Sequence, residues 1–152
     1  MDNSEIFEAE NDCTLFSLSD EFLEAARVLQ ETPPVRVNYK SVTYYLLGHS
    51  AELMLKAYLY KHDLSIKDLT NIRHDLKKLI KLAKEKGFPE KVKLNHILDL
   101  ANTYKDKKFE YRKEKNESLP PIDLLTEEIK SLQSAVFDRV LQYKEAGRES
   151  RK

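Results

Sequence analysis

The stretch YKSVTYYLLGHSAELMLKAYLYKHD, Tyr39 to Asp63, constrains the fold of this chain more than any other. At about 100° per residue, Val42, Leu46, Leu53, Ala57 and Tyr60 fall on one side of a helix. Leu47, Ala51, Met54, Leu55 and Tyr58 fall on another. A helix that is apolar on most sides is a central element, surrounded by other helices. Between the two flanks runs a narrow polar stripe of Tyr45, His49, Glu52 and Lys56, spaced four, three and four residues apart. Polar groups on such a helix must pair or face a groove, because a lone buried charge is costly. The stripe is therefore the first candidate for a functional site. The competing reading is a polar seam whose members satisfy one another.

The rest of the chain supplies the neighbours. Residues 1–14 read as an acidic tail, 15–147 as one helical domain and 148–152 as a polar tail. A first helix starts near Ser17, with Ser17 and Asp20 in capping-box spacing, and runs along Leu18, Phe22, Ala26 and Leu29 to the stop at Thr32-Pro33-Pro34. Asp63 to Asn71 reads as a connector with room for one helical turn. A third helix carries Leu76, Leu79, Ile80 and Ala83, with Gly87 as its C-terminal stop. Pro89 suits the first turn of a fourth, whose buried row is Leu94, Ile97, Leu98, Ala101 and Tyr104. From Lys105 to Ser118 the period is lost in a charged connector containing Phe109-Glu110-Tyr111-Arg112. Pro120-Pro121 opens a last helix along Ile122, Leu125, Ile129, Leu132, Val136 and Tyr143, ended by Gly147. The expected fold is all-α, an antiparallel bundle of four to five helices.

Composition narrows the function. Three glycines, five prolines and 34% charged residues suit a helix-rich chain. No apolar run approaches the ~20 residues of a membrane span, and MDNSEIFEAEND lacks the basic-then-apolar order of a signal peptide. The single Cys13 allows no intrachain disulfide and makes no zinc site alone. A cytoplasmic protein is expected. The net charge is zero but uneven: Met1 to Glu31 holds nine acidic residues against Arg27, while Arg73 to Lys93 holds eight basic residues against three acidic ones. That asymmetry marks either an anionic partner or a lysine-solvated helix surface. No aromatics interleave with the lysines from Lys77 to Lys86, so single-stranded nucleic acid has no stacking platform there.

The stripe and the cluster Arg73-His74-Asp75 carry the chemistry. Glu52 and Lys56 form an i,i+4 pair in the favourable order. Lys56, Arg73 and His74 could face an anionic or nucleotide group, arginine as a bidentate fork and lysine as a point charge. Histidine could also act as an acid or base near neutral pH. A buried stripe needs polar partners, and Arg73–Leu76 is the nearest dense polar cluster, so the two are expected to meet. Metal binding is not expected: His49 and Glu52 are i,i+3, but no further pair completes a ligand set. Phosphate loops, Gly-x-Gly-x-x-Gly and Gly-x-Ser-x-Gly are absent from the sequence. No cofactor is implied.

The order LLGHSAELMLKAYL, then IRHDLKKLIKLAKEKG, then KFEYR before a proline-opened helix, resembles the HEPN superfamily (higher eukaryotes and prokaryotes nucleotide-binding domain), over roughly residues 15–145. The resemblance rests on His49-Ser50-Ala51-Glu52-Leu53 with Lys56, and on His74-Asp75-Leu76. It implies a small helical bundle, often dimeric. Many members are metal-independent ribonucleases of toxin–antitoxin and phage-defence systems, cutting with an arginine followed after four to six residues by a histidine. Others lack that motif and act as binding modules, for instance beside small nucleotidyltransferases. In this chain none of the seven arginines has a histidine five to seven positions downstream. Lys91 and His96 have the separation, but lysine lacks the planar fork.

The expectation is a non-catalytic HEPN-like module that binds a nucleotide, an RNA or a protein partner of nucleotidyltransferase type. The residues involved would be Tyr45, His49, Glu52, Lys56, Arg73, His74, Asp75, Tyr111 and Arg112. An atypical ribonuclease using His49 and His74 is the alternative, and a structural dimerisation module the third. A homodimer is expected because Leu124, Ala135, Phe137 and Leu141 lie outside the main apolar row of the last helix.

Overall fold

A computed structural model describes residues 11–33, 39–105 and 119–149, with side chains described as far as residue 138. The described residues form six helices and no strand: α1 Asp12–Glu31, α2 Lys40–Lys61, α3 Ile66–Ile72, α4 Leu76–Glu85, α5 Asn95–Lys105 and α6 Ile122–Glu149. The chain is all-α, and among the described residues no helix is long and apolar enough to cross a membrane.

Helix α2 packs against each of the other five. Its unbroken run from Ser50 to Leu59 is buried, so almost every side of it is covered. The fully buried side chains Leu47, Met54, Leu55 and Leu59 meet Leu76 and Leu79 of α4, Ile97 and Leu100 of α5, and Leu125, Ile129 and Leu132 of α6 in one core. α1 runs antiparallel to α2. Ser19 Oγ donates to the Ser50 carbonyl at 2.6 Å and Ser50 Oγ to the Ser19 carbonyl at 2.9 Å, a buried exchange that lets the two backbones approach.

Several boundaries differ from the sequence expectation, each for a local reason. α1 begins at Asp12, not near Ser17, because Asn11 caps it by accepting from the Thr14 amide at 3.0 Å. Its buried row is accordingly Leu15, Ser19, Leu23 and Ala26, while Leu18 and Phe22 are only partly buried. The connector after α2 holds a complete short helix, α3, set by a capping box in which Ser65 and Asp68 each accept from the other's amide. α5 starts at Asn95 rather than near Pro89, and buried Glu128 of α6 accepts from the Ile97 amide in its first turn at 2.9 Å. α6 runs past Gly147 to Glu149. Gly87 ends α4 as expected. At φ 89° it lets the Phe88 amide return to the Ala83 carbonyl, which seats Phe88 edge-on against Tyr58.

Candidate functional site: a carboxylate hub on the central helix

Glu52 sits near the middle of α2, 3% exposed, where its neighbours on every side are helices. Three donors converge on it. Lys56, one turn on, reaches Oε2 at 3.0 Å. His74 Nδ1, from the turn between α3 and α4, lies 2.7 Å from Oε1. Tyr104 Oη, from α5, donates to the same oxygen at 2.7 Å. Burial pushes the Glu52 carboxyl up, but Lys56 and the hydrogen bonds from His74 and Tyr104 outweigh it and hold the carboxyl below its ordinary value. Glu52 is thus an ionised acceptor with its demand met.

The hub fixes two imidazoles. Tyr104 has one hydroxyl proton and gives it to Glu52, so its oxygen is left to accept from His49 Nδ1, 2.9 Å away. Burial lowers the His49 pKa; Glu52 raises it in part, and His74 and Lys56 lower it again. The net lowering leaves His49 neutral near pH 7, protonated on Nδ1. His74 donates through Nδ1 in either protonation state. In both rings Nε2 makes no hydrogen bond among the described residues.

Aromatic side chains frame these rings. Phe22 of α1 meets His49 edge-on with centroids 4.5 Å apart, and Tyr45 lies nearly parallel to it at 5.9 Å. His49 and His74 are 6.4 Å apart, and Tyr104 stands edge-on to His74 at 5.8 Å. Gly48 makes room for the arrangement, since a Cβ there would lie 2.5 Å from Tyr104 Cδ2.

The expected meeting of the stripe with the segment after α3 takes place through His74 alone. Arg73, exposed, is the C-cap of α3 with φ 58° and ψ −127°, a conformation costly for a residue with a Cβ. Asp75 caps α4 by accepting from the Lys78 amide at 3.1 Å and pairs with Lys105 at 3.3 Å, away from Glu52. Tyr45 flanks the hub without a bond to the carboxylate. Tyr111 and Arg112, with most of the charged connector, lie outside the described residues.

Sequence reasoning missed Tyr104, which it placed in an apolar row. The available signals were a tyrosine hydroxyl in a buried row, which demands a partner, and a glycine at position 48 in the helix opposite. It also left His49 and Glu52 without a third ligand. The fold supplies His74, and one ligand atom from each of the three lies within 4.8 Å of the others. A divalent cation entering this set would have to break the His74–Glu52 hydrogen bond and sit beside the Lys56 ammonium, which makes the proton-linked network the favoured occupant.

Compared with protein-family profiles, with curated protein sequences and with solved structures, the chain matches none.

Proposed function

We propose that this chain is a non-catalytic, HEPN-like antiparallel bundle that binds a nucleotide, free or as part of an RNA, at the rim of the Glu52 hub. One observation carries the reading: a buried carboxylate holds two imidazoles by their Nδ1 atoms and leaves both Nε2 atoms without a partner among the described residues. A neutral Nε2 accepts hydrogen bonds, which suits ribose hydroxyls and base amino groups. The His74 side chain is 39% exposed, so the rim reaches solvent. The Tyr45 ring beside His49 gives a base an aromatic neighbour. Exposed Arg73 gives a phosphate its fork.

The same geometry favours binding over cleavage. Metal-free RNA cleavage needs a base, a protonated acid and a cation on the phosphorane. His74, oriented by Glu52, is a reasonable base. His49, its pKa lowered by burial, is a poor reservoir of the acid proton, and the Lys56 charge is already matched by Glu52 at 3.0 Å. An atypical ribonuclease remains the second reading because two histidines stand 6.4 Å apart at one rim.

Thermal unfolding with a nucleotide and short-RNA panel tests the proposal. A ligand of the folded state at 100-fold its Kd adds about 2.7 kcal/mol, and His74→Ala and Tyr45→Ala should abolish the shift. No shift with any member of the panel would leave the hub a polar seam. RNA cleavage abolished by His74→Ala, with far-UV circular dichroism unchanged, would promote the second reading.

A further inference from the structure

Away from the hub, α4 and α5 leave an open groove of about 900 Å³. Leu82 of α4 and Leu98 of α5, both half-buried, form its floor with buried Ala101. Exposed Lys78, Lys81 and Lys105 stand around it, joined by two further lysines of α4. Two carboxylates also line it, and one of them, Asp75, already caps α4 and pairs with Lys105. The rim is therefore strongly cationic while the floor is aliphatic.

We infer that this groove docks an amphipathic acidic helix of a partner protein, with aliphatic side chains on the floor and carboxylates on the lysine rim. A small aliphatic floor ringed by lysines offers an acidic helix both burial and charge complementarity, and the helix-in-groove mode reads anchors at i, i+3 or i+4, and i+7. The lined length of α4, Lys77 to Glu85, spans about 12 Å at 1.5 Å per residue, which accommodates two turns and those anchors. Lysine stems add aliphatic area beside the floor while their ammonium groups meet the flanking carboxylates. A nucleic acid fits less well. Among the described residues the lining holds no aromatic ring for base stacking and no arginine to fork a phosphate. An aliphatic floor also gives a sugar–phosphate chain nothing to bury. This surface is separate from the nucleotide reading of the hub and does not rest on it.

Amide chemical-shift mapping on the full chain tests the assignment. The probe is a peptide of about 14 residues, leucine at the anchor positions and glutamate on both flanks. Saturable shifts confined to α4 and α5, with Kd below about 1 mM at low salt and weakening as salt rises, are expected. The double variant K78E/K81E, at two exposed positions, should weaken binding by about 10-fold or more. Four results would overturn the proposal. These are an absence of shifts; equal binding of a scrambled peptide of the same composition; tighter binding of an oligouridylate on the same residues; or peptide binding only after residues 1–10 are deleted, which assigns the groove to the chain's own acidic segment.

Discussion

Replacing Glu52 with glutamine separates a paired buried charge from a decorative one. Glutamine preserves the shape of the side chain and one oxygen for His74 and Tyr104, but it turns the atom facing Lys56 from an acceptor into a donor. Lys56 is 9% exposed, and among the described residues Glu52 is its ion-pair partner. Removing one member of a buried pair costs about 3–5 kcal/mol. Lys56 also lines a small pocket with Leu53, Ile66 and Leu69, through which its head group can recover some water, so the low end applies. Weakening two charge-assisted hydrogen bonds to neutral ones adds about 1 kcal/mol. The expected loss is therefore about 4 kcal/mol. With a urea m-value of roughly 2 kcal/mol/M for a domain this size, the midpoint falls by about 2 M. Urea titration followed by far-UV circular dichroism measures it. Glu52→Gln/Lys56→Met removes the stranded charge and should regain at least half of the loss. A single-variant loss below about 1 kcal/mol, or a double variant no more stable than the single, would refute the argument that Lys56 depends on Glu52.

Acid should destabilise the protein in two stages. Glu52 and His49 both have folded pKa values below their unfolded ones, so each contributes stability that is complete above the unfolded value and lost as pH falls through the folded one. The first loss begins below about pH 6.5 and the second below about 4.5; a melting temperature flat from pH 7.5 to 5.5, or one with the same slope in His49→Gln, would contradict it. Gly48→Ala gains about 1 kcal/mol of helix propensity but drives a methyl group into the Tyr104 ring. A net loss of about 1–2 kcal/mol is expected, and a stabilised variant would show that Tyr104 moves freely. Leu124 and Phe137 are 48% and 43% exposed on α6, and light scattering at tens of micromolar should report a dimer; a monomer mass would refute the pairing.

The central helix was legible because apolar residues cover both of its flanks, and the stripe because Tyr45, His49, Glu52 and Lys56 share one narrow face between them. Gly87 and the diproline were legible as stops because their backbones allow little else. α3 was not: two turns have too few residues to show a period, and its signal was the Ser65–Asp68 capping pair rather than any apolar row. The site was half visible. Glu52, Lys56 and His74 could be paired by asking where buried charges find partners, yet the same question put to Arg73 and Asp75 gave the wrong answer. Those two residues serve helix ends, a duty set by local backbone geometry. Tyr104 was hidden because an aromatic ring in a buried row reads as packing, and the room for that ring comes from the missing Cβ at Gly48, far away in sequence.

The position of α2 among all the other helices has a consequence for amide exchange. The amides of its buried run, Ser50 to Leu59, have no local route to solvent, so they should exchange only through opening of the whole domain. Glu52, Lys56 and His49 ride on that element. His74 does not: it stands on the turn after α3, beside a strained Arg73 backbone. Opening of that turn would detach one imidazole while the carboxylate, the ammonium and Tyr104 stayed in place. The hub is therefore a fixed socket with one removable member, and a ligand at the rim would slow exchange at residues 72–75 while leaving α2 unchanged.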